Sequence, residues 1–452
     1  MAYIFGTDGI RCLANQEPLS PDTTLKIAKT VAYLLKSNTK SNSRVVISKD
    51  TRLSGYLYEP IVTAGFISMG IDVILVGPLP TSAVPLLVKT LKADIGVMIT
   101  ASHNTYEYNG LKFFDSNGFK LSSKLEKKIE QIVLNKKKYS NVLNKKNYLG
   151  KALRLEDAAG RYSEYLKNTL NKNIKLKKIK VILDCANGAT YNIAPNLFWE
   201  LGYEIITINN NPNGKNINKN CGSVDVNELK KKVIKTKSNI GFAFDGDGDR
   251  LIAVNEKGET IDGDKIIALF SKYLINGKNL KVNYPVITTV MSNMGLEMYL
   301  NNNLKIKLFR TTVGDINVIK AMKKYKSKLG GEQSGHIILS DYCNSGDGIL
   351  VALKILEIMS LTNLESSKLF DIYKDFPQIK INIPFIKLSK KNMILIKNIN
   401  KNKSLLKKNA RFIVRISGTE PLIRILVEGK EYFEVEFVAK KIESKVRLYL
   451  EK

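Results

Sequence analysis

The chain has 452 residues, of which 44% are hydrophobic and 25% are charged, so it is long enough for several domains. Its net charge of +29 would suit nucleic-acid binding, but the lysines are spread along the chain among asparagines, without any recognition motif. No apolar run reaches the ~18 residues that a membrane span requires, and the four cysteines form no Cys-x-x-Cys pair. We therefore expect a protein of the reducing cytoplasm, without a signal peptide, a membrane association or a specific nucleic-acid partner.

Strands and helices alternate in the first predicted domain, residues 1–150, and this alternation indicates parallel βαβ units. Ser20-Pro21-Asp22 predicts a helix start, with Ser20 as the N-cap and Pro21 in the first helical position. The strands are predicted at Arg44–Ser48, Ile71–Val76 and Ile95–Thr100. The Lys/Asn-rich stretch 135–147 is predicted to be a linker.

The same alternation continues in two further predicted domains, residues 151–254 and 255–365. The main strands of the second domain are predicted at Val181–Asp184, Tyr203–Ile208 and Ile240–Phe244. The third domain is predicted to contain a strand at Tyr284–Val290 and a helix at Gly348–Met359.

The last predicted domain, residues 370–452, has a different pattern. Strands at Arg411–Ile416 and Leu422–Glu428 flank a turn, and a helix follows from Tyr432 to Leu450. The apolar stripe of this helix is predicted to consist of Phe433, Phe437, Ala439, Ile442, Val446 and Tyr449. The predicted fold class is therefore α/β, with three mixed-sheet α/β domains and a smaller C-terminal α+β domain.

An acidic loop is the most informative motif. It carries Asp245, Asp247 and Asp249 at alternate positions between glycines, directly after the apolar run Ile240–Phe244. Carboxylates crowded at a strand end repel one another unless a cation lies among them, and oxygen ligands suit Mg²⁺ or Ca²⁺ better than zinc or copper. The loop therefore predicts a metal site with open positions for phosphate or water.

Two other interpretations of the acidic loop are weaker. An EF-hand loop also begins Asp-x-Asp-x-Asp, and Glu256 falls at its last ligand position, but Arg250 stands where that loop requires glycine. An EF-hand loop also joins two helices, whereas Leu251–Val254 is predicted to continue as a strand. A solvated acidic turn is disfavoured because apolar segments enclose the loop.

Thr100-Ala-Ser-His-Asn104 follows a predicted strand at its carboxyl end, where open α/β sheets place their active sites. An accessible Ser102 could carry a phosphoryl group, which would require a metal and basic partners. The alternative is that Ser102 caps a helix and His103 is a turn residue, and this motif alone does not decide between them. Lys112 follows at a short distance along the chain, and Arg11 lies in a glycine loop near the start.

The segment 330–336, Gly-Gly-Glu-Gln-Ser-Gly-His, places the carboxylate of Glu332 and the hydroxyl of Ser334 between glycines. Such groups can hold sugar hydroxyls or an amine without bulky side chains in the way. On its own, the segment is better explained as a glycine-rich turn. If it binds a substrate, His336 is a further candidate.

The segment 415–421 is typical of a nest for a dianionic phosphate, because it combines an arginine, two hydroxyls and the backbone N–H groups of a tight turn. An ordinary hairpin turn is an equal alternative, and Arg424 could supply a second guanidinium. The phosphate-binding candidates in the segment are Arg415, Ser417, Gly418 and Thr419. Taken together, the four domains supply a phosphate carrier, a metal site, a sugar-binding loop and a phosphate anchor.

These motifs resemble those of the α-D-phosphohexomutase superfamily, and more narrowly its phosphoglucosamine mutases, along essentially the whole chain. The resemblance implies three α/β domains and a TATA-box-binding-like fourth domain around a central cleft. The stretches that carry it are Phe5–Arg11, Thr100–Asn104, Asp184–Tyr191, Cys221–Ser223, Gly331–His336 and Arg415–Arg424.

The resemblance further implies the conversion of glucosamine 6-phosphate to glucosamine 1-phosphate through a phosphoserine and a sugar 1,6-bisphosphate, for UDP-N-acetylglucosamine and cell-wall synthesis. The bisphosphate would also prime the serine. Ser102 would carry the phosphoryl group, Mg²⁺ would bind Asp245, Asp247, Asp249 and the phosphoserine, and Glu332 and Ser334 would hold the sugar. The remaining implied roles are phosphate anchoring by Arg415, Ser417, Gly418 and Thr419, and charge stabilisation by Arg250, Lys112 and Arg11.

Several alternatives stay open at this stage. Lys112 or His103 could move the hydroxyl proton, and the chain could be a monomer or a homodimer. A phosphomannomutase or phosphoglucomutase would use the same chemistry, and a basic scaffold or RNA-binding protein could retain the fold without turnover. Two departures from the family pattern, Cys12 and Ile316, lie outside the core motifs.

Overall fold

The structure is a computed structural model that describes residues 4–6, 8–35, 43–143, 148–172, 177–275, 284–385, 394, 396, 398–400, 410–416 and 421–450. Four sheets follow one another along the chain. The first three combine parallel and antiparallel pairs, and the last is antiparallel. None of the helices in these ranges is long and apolar enough to cross a membrane. The predicted class, α/β domains followed by a smaller C-terminal domain, is confirmed.

The first sheet has the order β1-β5-β4-β2-β3-β6. Its strands are β1 Ile10–Leu13, β2 Arg44–Lys49, β3 Asp72–Pro78, β4 Ile95–Ile99, β5 Tyr108–Asp115 and β6 Ala152–Arg154. The accompanying helices are α1 Pro21–Leu35, α2 Gly55–Ile67, α3 Ala83–Thr90, α4 Ser123–Val133 and α5 Lys136–Leu143. The predicted cap of α1 is confirmed, because the N–H of Thr23 donates to Oγ of Ser20 at 3.3 Å.

The second sheet has the order β11-β10-β9-β7-β8. Its strands are β7 Lys180–Asp184, β8 Glu204–Ile208, β9 Ile240–Phe244, β10 Leu251–Asn255 and β11 Thr260–Ile261. The helices of this region are α6 Ala158–Asn168, α7 Ile193–Glu200 and α8 Asn227–Thr236, with a 3₁₀ turn at Gly222–Val224.

The third sheet has the order β13-β12-β14-β15. Its strands are β12 Val286–Thr289, β13 Leu308–Thr311, β14 Leu329–Gly331 and β15 Ile337–Leu339. The helices are α9 Gly263–Phe270, which continues as a π-helical turn at Ser271–Ile275, α10 Met294–Asn302, α11 Asp315–Tyr325, α12 Gly348–Thr362 and α13 Ser366–Phe370.

The C-terminal sheet has the order β16-β18-β17, formed by β16 Gln378–Pro384, β17 Ala410–Ile416 and β18 Leu422–Gly429. The C-terminal helix Tyr432–Leu450 packs against it. The core of this domain is a hydrophobic cluster of its own. A different and larger cluster runs without a break through the first three domains, and includes Phe114, Phe242 and Leu356.

Successive side chains of a strand point to opposite faces of the sheet, so the strands of the first sheet contribute to two hydrophobic cores. Val46 of β2 joins the cluster shared by the three domains, whereas Val45 and Ile47 on the other face join a second cluster under α1 and α2. Polar bonds also connect the domains: the hydroxyl of Tyr162 lies 2.8 Å from Oγ of Ser82 and 2.8 Å from Oδ2 of Asp347. The first three domains are therefore packed as one body.

Two sequence predictions are wrong in detail. The stretch 135–147 is not simply a linker, because α5 lies within it and buries Val142 against the first domain, while residues 144–147 lie outside the described part. On the C-terminal helix, Phe433 and Phe437 are 84% and 67% exposed. Val435 and Val438 are buried in their place, because helical periodicity alone left the orientation of the stripe open.

Candidate active site

Ser102 lies in the turn that joins β4 to β5. Its side chain is fully buried, and its backbone has a φ of +51°, a left-handed conformation that is uncommon for residues other than glycine. Its N–H donates to Oγ1 of Thr100 at 2.8 Å. Its Oγ donates to Oδ2 of Asp245, in the second domain, at 2.7 Å. The candidate serine and the candidate metal loop, which lie far apart in the sequence, are thus in direct contact.

The acidic loop joins the antiparallel strands β9 and β10, so its side chains converge on one point. Ligand oxygens of Asp245, Asp247 and Asp249 lie within 4.8 Å of one another, and all three residues are buried. Gly246 permits the close approach to the serine turn, because a Cβ there would lie 2.6 Å from the carbonyl oxygen of Ser102. Glycine between the aspartates is therefore required by packing.

Two basic side chains face the three aspartates. Nζ of Lys112 lies 2.7 Å from Oδ2 of Asp247 and 2.9 Å from Oδ2 of Asp249, and Nε of Arg250 lies 3.9 Å from Oδ2 of Asp245. Oδ1 of Asp247 is buried and accepts no hydrogen bond from any described residue, and Oδ1 of Asp249 has His336 at 3.5 Å and Arg250 at 3.8 Å. Converging carboxylates with spare buried oxygens are a donor set that Mg²⁺ accepts, so these residues fit a divalent metal ion.

The protonation of the aspartates reflects their crowding. Burial, followed by the charges of Asp249 and Asp247, raises the pKa of Asp245 well above its usual range. Burial acts on Asp249 in the same direction, but Lys112 and other cations outweigh it and hold the pKa of Asp249 well below its usual range. The charge of Asp245, next to Ser102, is thus less compensated by nearby cations than that of Asp249, and a bound cation would stabilise it.

His103 stands beside the serine hydroxyl, with its Nδ1 3.4 Å from Oγ of Ser102. The guanidinium of Arg250, followed by burial and by Arg11, lowers the pKa of His103 to about 2. Burial also acts to lower the pKa of Lys112, but the neighbouring aspartates outweigh it and raise that pKa well above its usual range. At neutral pH the imidazole is therefore uncharged and has a free lone pair, but so low a pKa makes it a weak base, whereas the ammonium of Lys112 has no lone pair.

Arg11, on β1, reaches the same region. One terminal nitrogen lies 2.8 Å from Oδ2 of Asp8, and the other donates to Oδ1 of Asn104 at 3.3 Å. Asp8 is also paired with Lys120, which is paired with Asp315 of the third domain. This series of charges connects the first domain to the third beside the site.

The segment 330–336 begins in β14, and its residues 332–336 form the turn between β14 and β15. Glu332 is buried, and its Oε1 accepts a hydrogen bond from the N–H of Gly314 at 3.1 Å. Its charge acts on the guanidinium of Arg415, across the boundary with the C-terminal domain. Ser334 is exposed. The two sugar-binding candidates therefore differ in burial, although they lie in one turn.

His336 points toward the metal loop. Its Nδ1 lies 3.5 Å from Oδ1 of Asp249, and its Nε2 lies 3.7 Å from Oδ2 of Asp315. The side chain is only 4% exposed. Its position therefore differs from that of Ser334, the other substrate-binding candidate that follows Glu332.

Arg415 and Arg424 are directly opposed on the antiparallel strands β17 and β18. Like charges in opposed positions repel, and an anion between them would remove that repulsion. Burial, followed by the charge of Arg424, lowers the pKa of Arg415. Nε of Arg415 is buried without an acceptor in the described part of the chain. The other predicted anchor residues, Ser417, Gly418 and Thr419, lie outside the described residues.

Three residues that touch the site were not singled out from the sequence. Thr81 donates its hydroxyl hydrogen to Oδ2 of Asp247 at 2.6 Å. Arg52 and Asn218 donate to the carbonyl oxygen of Ser102, at 2.9 and 2.8 Å. Arg52 follows β2 at the same carboxyl edge as Ser102, and this position was a usable signal. Thr81 and Asn218 lie in loops whose sequences gave none.

Comparison with family models places the whole chain in one family. Models of Phosphoglucomutase/phosphomannomutase match in chain order, each in a different part of the chain. They are alpha/beta/alpha domain I over residues 2–140, domain II over 160–258, domain III over 262–377, and the C-terminal domain over 379–445.

Solved structures share this fold. A phosphoglucomutase/phosphomannomutase family protein from Burkholderia thailandensis superposes with a TM-score of 0.83 at 21% identity, covering 98% of this chain and 97% of that one. N-acetylphosphoglucosamine mutase of Aspergillus fumigatus, in complex with GlcNAc-6P and magnesium, gives a TM-score of 0.67 at 17% identity, covering 99% and 96%.

Curated relatives are more similar in sequence. Phosphoglucosamine mutase of Bartonella henselae is 45% identical over 94% of this chain and 92% of its own length. Phosphoglucosamine mutase of Thermodesulfovibrio yellowstonii is 44% identical over 99% of both chains. The resemblance inferred from the motifs is confirmed, and the chain belongs to the phosphoglucosamine mutase family of phosphohexomutase isomerases.

Proposed function

We propose that the protein converts glucosamine 6-phosphate to glucosamine 1-phosphate through a phosphorylated Ser102 and a sugar 1,6-bisphosphate. The observation that carries this proposal is the 2.7 Å hydrogen bond between Ser102 and Asp245, which brings a buried hydroxyl to three converging carboxylates. Ser102 would give its phosphoryl group to one end of the sugar phosphate. After the bisphosphate has turned around, the phosphate at its other end would return to Ser102.

Asp245, Asp247 and Asp249 would hold Mg²⁺, with an oxygen of the phosphorylated Ser102 as a further ligand. When bound, the ion would withdraw charge from the transferring phosphoryl group. Lys112 contacts Asp8 as well as Asp247 and Asp249, and it would fix the two aspartates of the metal loop and balance part of the loop's charge.

Of the two candidates for the proton acceptor, His103 is the one that has a free lone pair, although its low pKa makes it a weak base. Its neutral ring nitrogen lies 3.4 Å from Oγ of Ser102, and Arg250 and Arg11 hold the ring neutral. A group that removes a proton must have a free lone pair within hydrogen-bond reach in the assembled complex. Lys112, as a paired ammonium, has none, and we assign it a role in stabilising charge.

The sugar-binding and phosphate-anchoring roles follow the positions of the remaining candidates. Glu332 would accept hydrogen bonds from the hydroxyl or amino groups of the sugar, next to the exposed Ser334. Arg415 and Arg424 would hold the phosphate that is not reacting, because their opposed guanidinium groups favour an anion between them. The anchor has to bind the phosphate at either end of the sugar. Recognition of the phosphate by its charge allows this better than recognition of the shape of the sugar.

The pathway and the cellular setting are also part of the proposal. Glucosamine 1-phosphate would feed UDP-N-acetylglucosamine and cell-wall synthesis in the cytoplasm, and a sugar 1,6-bisphosphate would prime Ser102. A solved complex of the Aspergillus fumigatus enzyme with glucose 1,6-bisphosphate supports the priming role by analogy. The four cysteines are unpaired in the structure, as suits a reducing compartment.

The proposal is tested by intact mass and peptide mapping of the purified protein, before and after incubation with glucose 1,6-bisphosphate and Mg²⁺. We expect one phosphate on Ser102, which exchanges with labelled glucosamine 6-phosphate. Ser102→Ala should lose both the phosphate and the turnover, whereas Ser444→Ala, an exposed serine on the C-terminal helix, should keep both. A wild-type protein that accepts no phosphate on Ser102 would contradict the proposal, and a faster rate with mannose 1-phosphate would contradict the choice of sugar.

A further inference from the structure

Arg52 is a fully enclosed guanidinium that binds main-chain carbonyl oxygens of the serine turn. The residue is 1% exposed, and its Nε donates to Oδ2 of Asp50 at 2.8 Å. Its two terminal nitrogens donate to main-chain carbonyl oxygens in the stretch that runs from the serine turn into β5. These acceptors are the carbonyl groups of Ser102 (2.9 Å), Asn104 (2.8 Å), Thr105 and Tyr108 (3.0 Å).

Asn218 approaches the same turn from the second domain. Its Nδ2 lies 2.8 Å from the carbonyl oxygen of Ser102 and 2.8 Å from that of Asn104. The residue is 4% exposed and has a left-handed backbone, with a φ of +56°. Its own N–H donates to the carbonyl oxygen of Ala186, which fixes it to the second domain.

The carbonyl groups of Ser102 and Asn104 therefore each accept two hydrogen bonds, one from each domain. Gly246 of the metal loop lies against this contact, because a Cβ there would be 2.7 Å from Nδ2 of Asn218. Ser102 has an uncommon backbone conformation, and such a conformation persists only where its surroundings determine it. Thr100 and Asp245 hold the N–H and the hydroxyl of Ser102, and Arg52 and Asn218 are the donors to its carbonyl group.

We propose that Arg52 and Asn218 are positioning residues for phosphoryl transfer, which hold Ser102 in its left-handed conformation with Oγ at the metal loop. The inference rests on the proposed function, since it presumes that Ser102 carries the phosphoryl group. Asn218 has the more specific role, because it fixes the serine turn of the first domain relative to the metal loop of the second. Neither side chain donates to Oγ of Ser102, so both would act through the turn.

A loosened turn would have two effects on a phosphorylated serine. The phosphorus would move out of line with the acceptor hydroxyl of the sugar, and a displacement of about 1 Å can cost about a hundredfold in rate. Water would also compete with the sugar as the phosphoryl acceptor. The oxygen of the water would bond to phosphorus as the Oγ–P bond breaks, which releases inorganic phosphate and restores the serine hydroxyl. The variant would then depend on added sugar bisphosphate to remain phosphorylated.

Asn218→Gly is the first test variant, since glycine adopts the left-handed conformation without strain and the change removes the side chain that carries the amide. The matched control is Asn363→Gly, because Asn363 also has a left-handed backbone, with a φ of +59°, at the end of α12 and contacts Lys177. For Asn218→Gly we expect kcat to fall about tenfold or more with little change in KM. We also expect the loaded phosphoserine to be lost about tenfold faster in buffer with Mg²⁺. The control should match the wild type in both measurements.

Asn218→Asp is the second variant, because aspartate tolerates the same backbone and has nearly the same shape, but turns a carboxylate toward the two carbonyl groups. It should reproduce the loss in kcat. The inference would be overturned if a folded Asn218→Gly had the kcat and the phosphoserine lifetime of the wild type. It would also be overturned if neither variant folded, since Asn218 would then be a stability residue.

A wild-type protein that holds no phosphate on Ser102 would instead contradict the proposed function, and this result can be distinguished from the two outcomes for the variants.

Discussion

Lys112 and Asp247 form a buried ion pair between two domains, with Nζ 2.7 Å from Oδ2 and side-chain exposures of 1% and 0%. Lys112 comes from β5 of the first domain, and Asp247 from the acidic loop of the second. The first domain thus supplies both the candidate phosphate carrier and the cation that balances the candidate metal ligands. Phosphoryl transfer depends mainly on positioning and charge, and this arrangement provides both.

Lys112→Met should fold less stably and turn over slowly. Removing one partner of a buried ion pair costs about 3–5 kcal/mol, because the remaining carboxylates stay buried without their cation. We also expect kcat to fall about a hundredfold, since preorganised charge is lost. Thermal unfolding and steady-state kinetics would measure both, and Mg²⁺ should restore part of the stability. Lys440→Met, at a side chain that is 72% exposed, is the control, and unchanged turnover in Lys112→Met would rule out a role for this lysine.

Asp247→Asn should weaken Mg²⁺ binding. The wild-type protein should be stabilised by Mg²⁺, by about 2.7 kcal/mol at a concentration of 100 times Kd, and EDTA should abolish turnover. Titration of Tm against Mg²⁺ would show a shift of the curve to higher concentration in the variant. Asp341→Asn, at an exposed carboxylate paired with Lys328, should leave the curve in place. A curve for Asp247→Asn that coincides with the wild-type curve would contradict the assigned ligand set.

Asp264 should make stability depend on pH. Burial, followed by the charge of Asp262, raises the pKa of Asp264 to about 7, against about 3.9 in an unfolded chain. Between these values the folded state binds more protons than the unfolded state, so this residue's contribution to stability falls as pH rises from about 4 through about 7. Asp264→Asn should remove that dependence.

Denaturant unfolding at a series of pH values would test this prediction. We expect Asp264→Asn to gain most relative to the wild type above pH 7, where the wild-type carboxylate is ionised and its Oδ1 has no hydrogen-bond partner among the described residues. Asp225→Asn, at a half-buried carboxylate just before α8, is the control. Parallel wild-type and Asp264→Asn profiles would show that Asp264 is not the responsible group.

Arg415→Gln should raise KM for the sugar phosphate about tenfold or more, because a hydrogen bond to a charged group is worth about 1.5–3 kcal/mol. The rate of phosphoserine formation from a bisphosphate at saturation should change less, since Arg415 would hold the phosphate that is not reacting. Initial rates over a range of substrate concentrations would separate the two effects. Arg161→Gln, on an exposed helix surface, should behave as the wild type. An effect of Arg415→Gln on kcat alone would contradict the anchoring role.

Ile442→Ala should destabilise the C-terminal domain by about 2–5 kcal/mol, because Ile442 is 1% exposed within a small core. Phe433→Ala should change the free energy of unfolding by no more than about 0.5 kcal/mol, since its ring is 84% exposed. Denaturant titration of both variants would measure the difference. Equal losses would mean that the aromatic face of the helix is covered in solution.

Much of the fold could be predicted, because the strands leave a local signal. The strand Ile240–Phe244 has the predicted bounds, and it is buried on both faces, as its continuous apolar run requires. The acidic loop and Ser102 could also be predicted, because each lies in a short and uncommon motif. These motifs are aspartates separated by glycines, and a serine that directly follows a strand.

Other features could not be predicted because they depend on distant parts of the chain. Asn218 donates to the carbonyl group of Ser102, which lies 116 positions earlier in the chain. Nothing in the sequence around Asn218 indicates this contact. The lysines of α5 suggested a linker, since the pattern does not show that Val142 finds a core to pack against. The exposure of Phe433 could not be predicted, because the hydrophobicity of a helix does not show which of its apolar residues face the core.

The separate core of the C-terminal domain has a thermodynamic consequence. Cooperative unfolding follows continuous packing, and among the described residues one apolar cluster runs through the first three domains while the fourth has a cluster of its own. The polar contact of Arg411 and Glu428 with backbone groups at Ser292 and Met294 connects the two units. Heating should therefore unfold the first three domains and the C-terminal domain in separate steps. At temperatures between these steps the chain would keep Ser102 and the metal loop in place but would lose the phosphate anchor of the C-terminal domain.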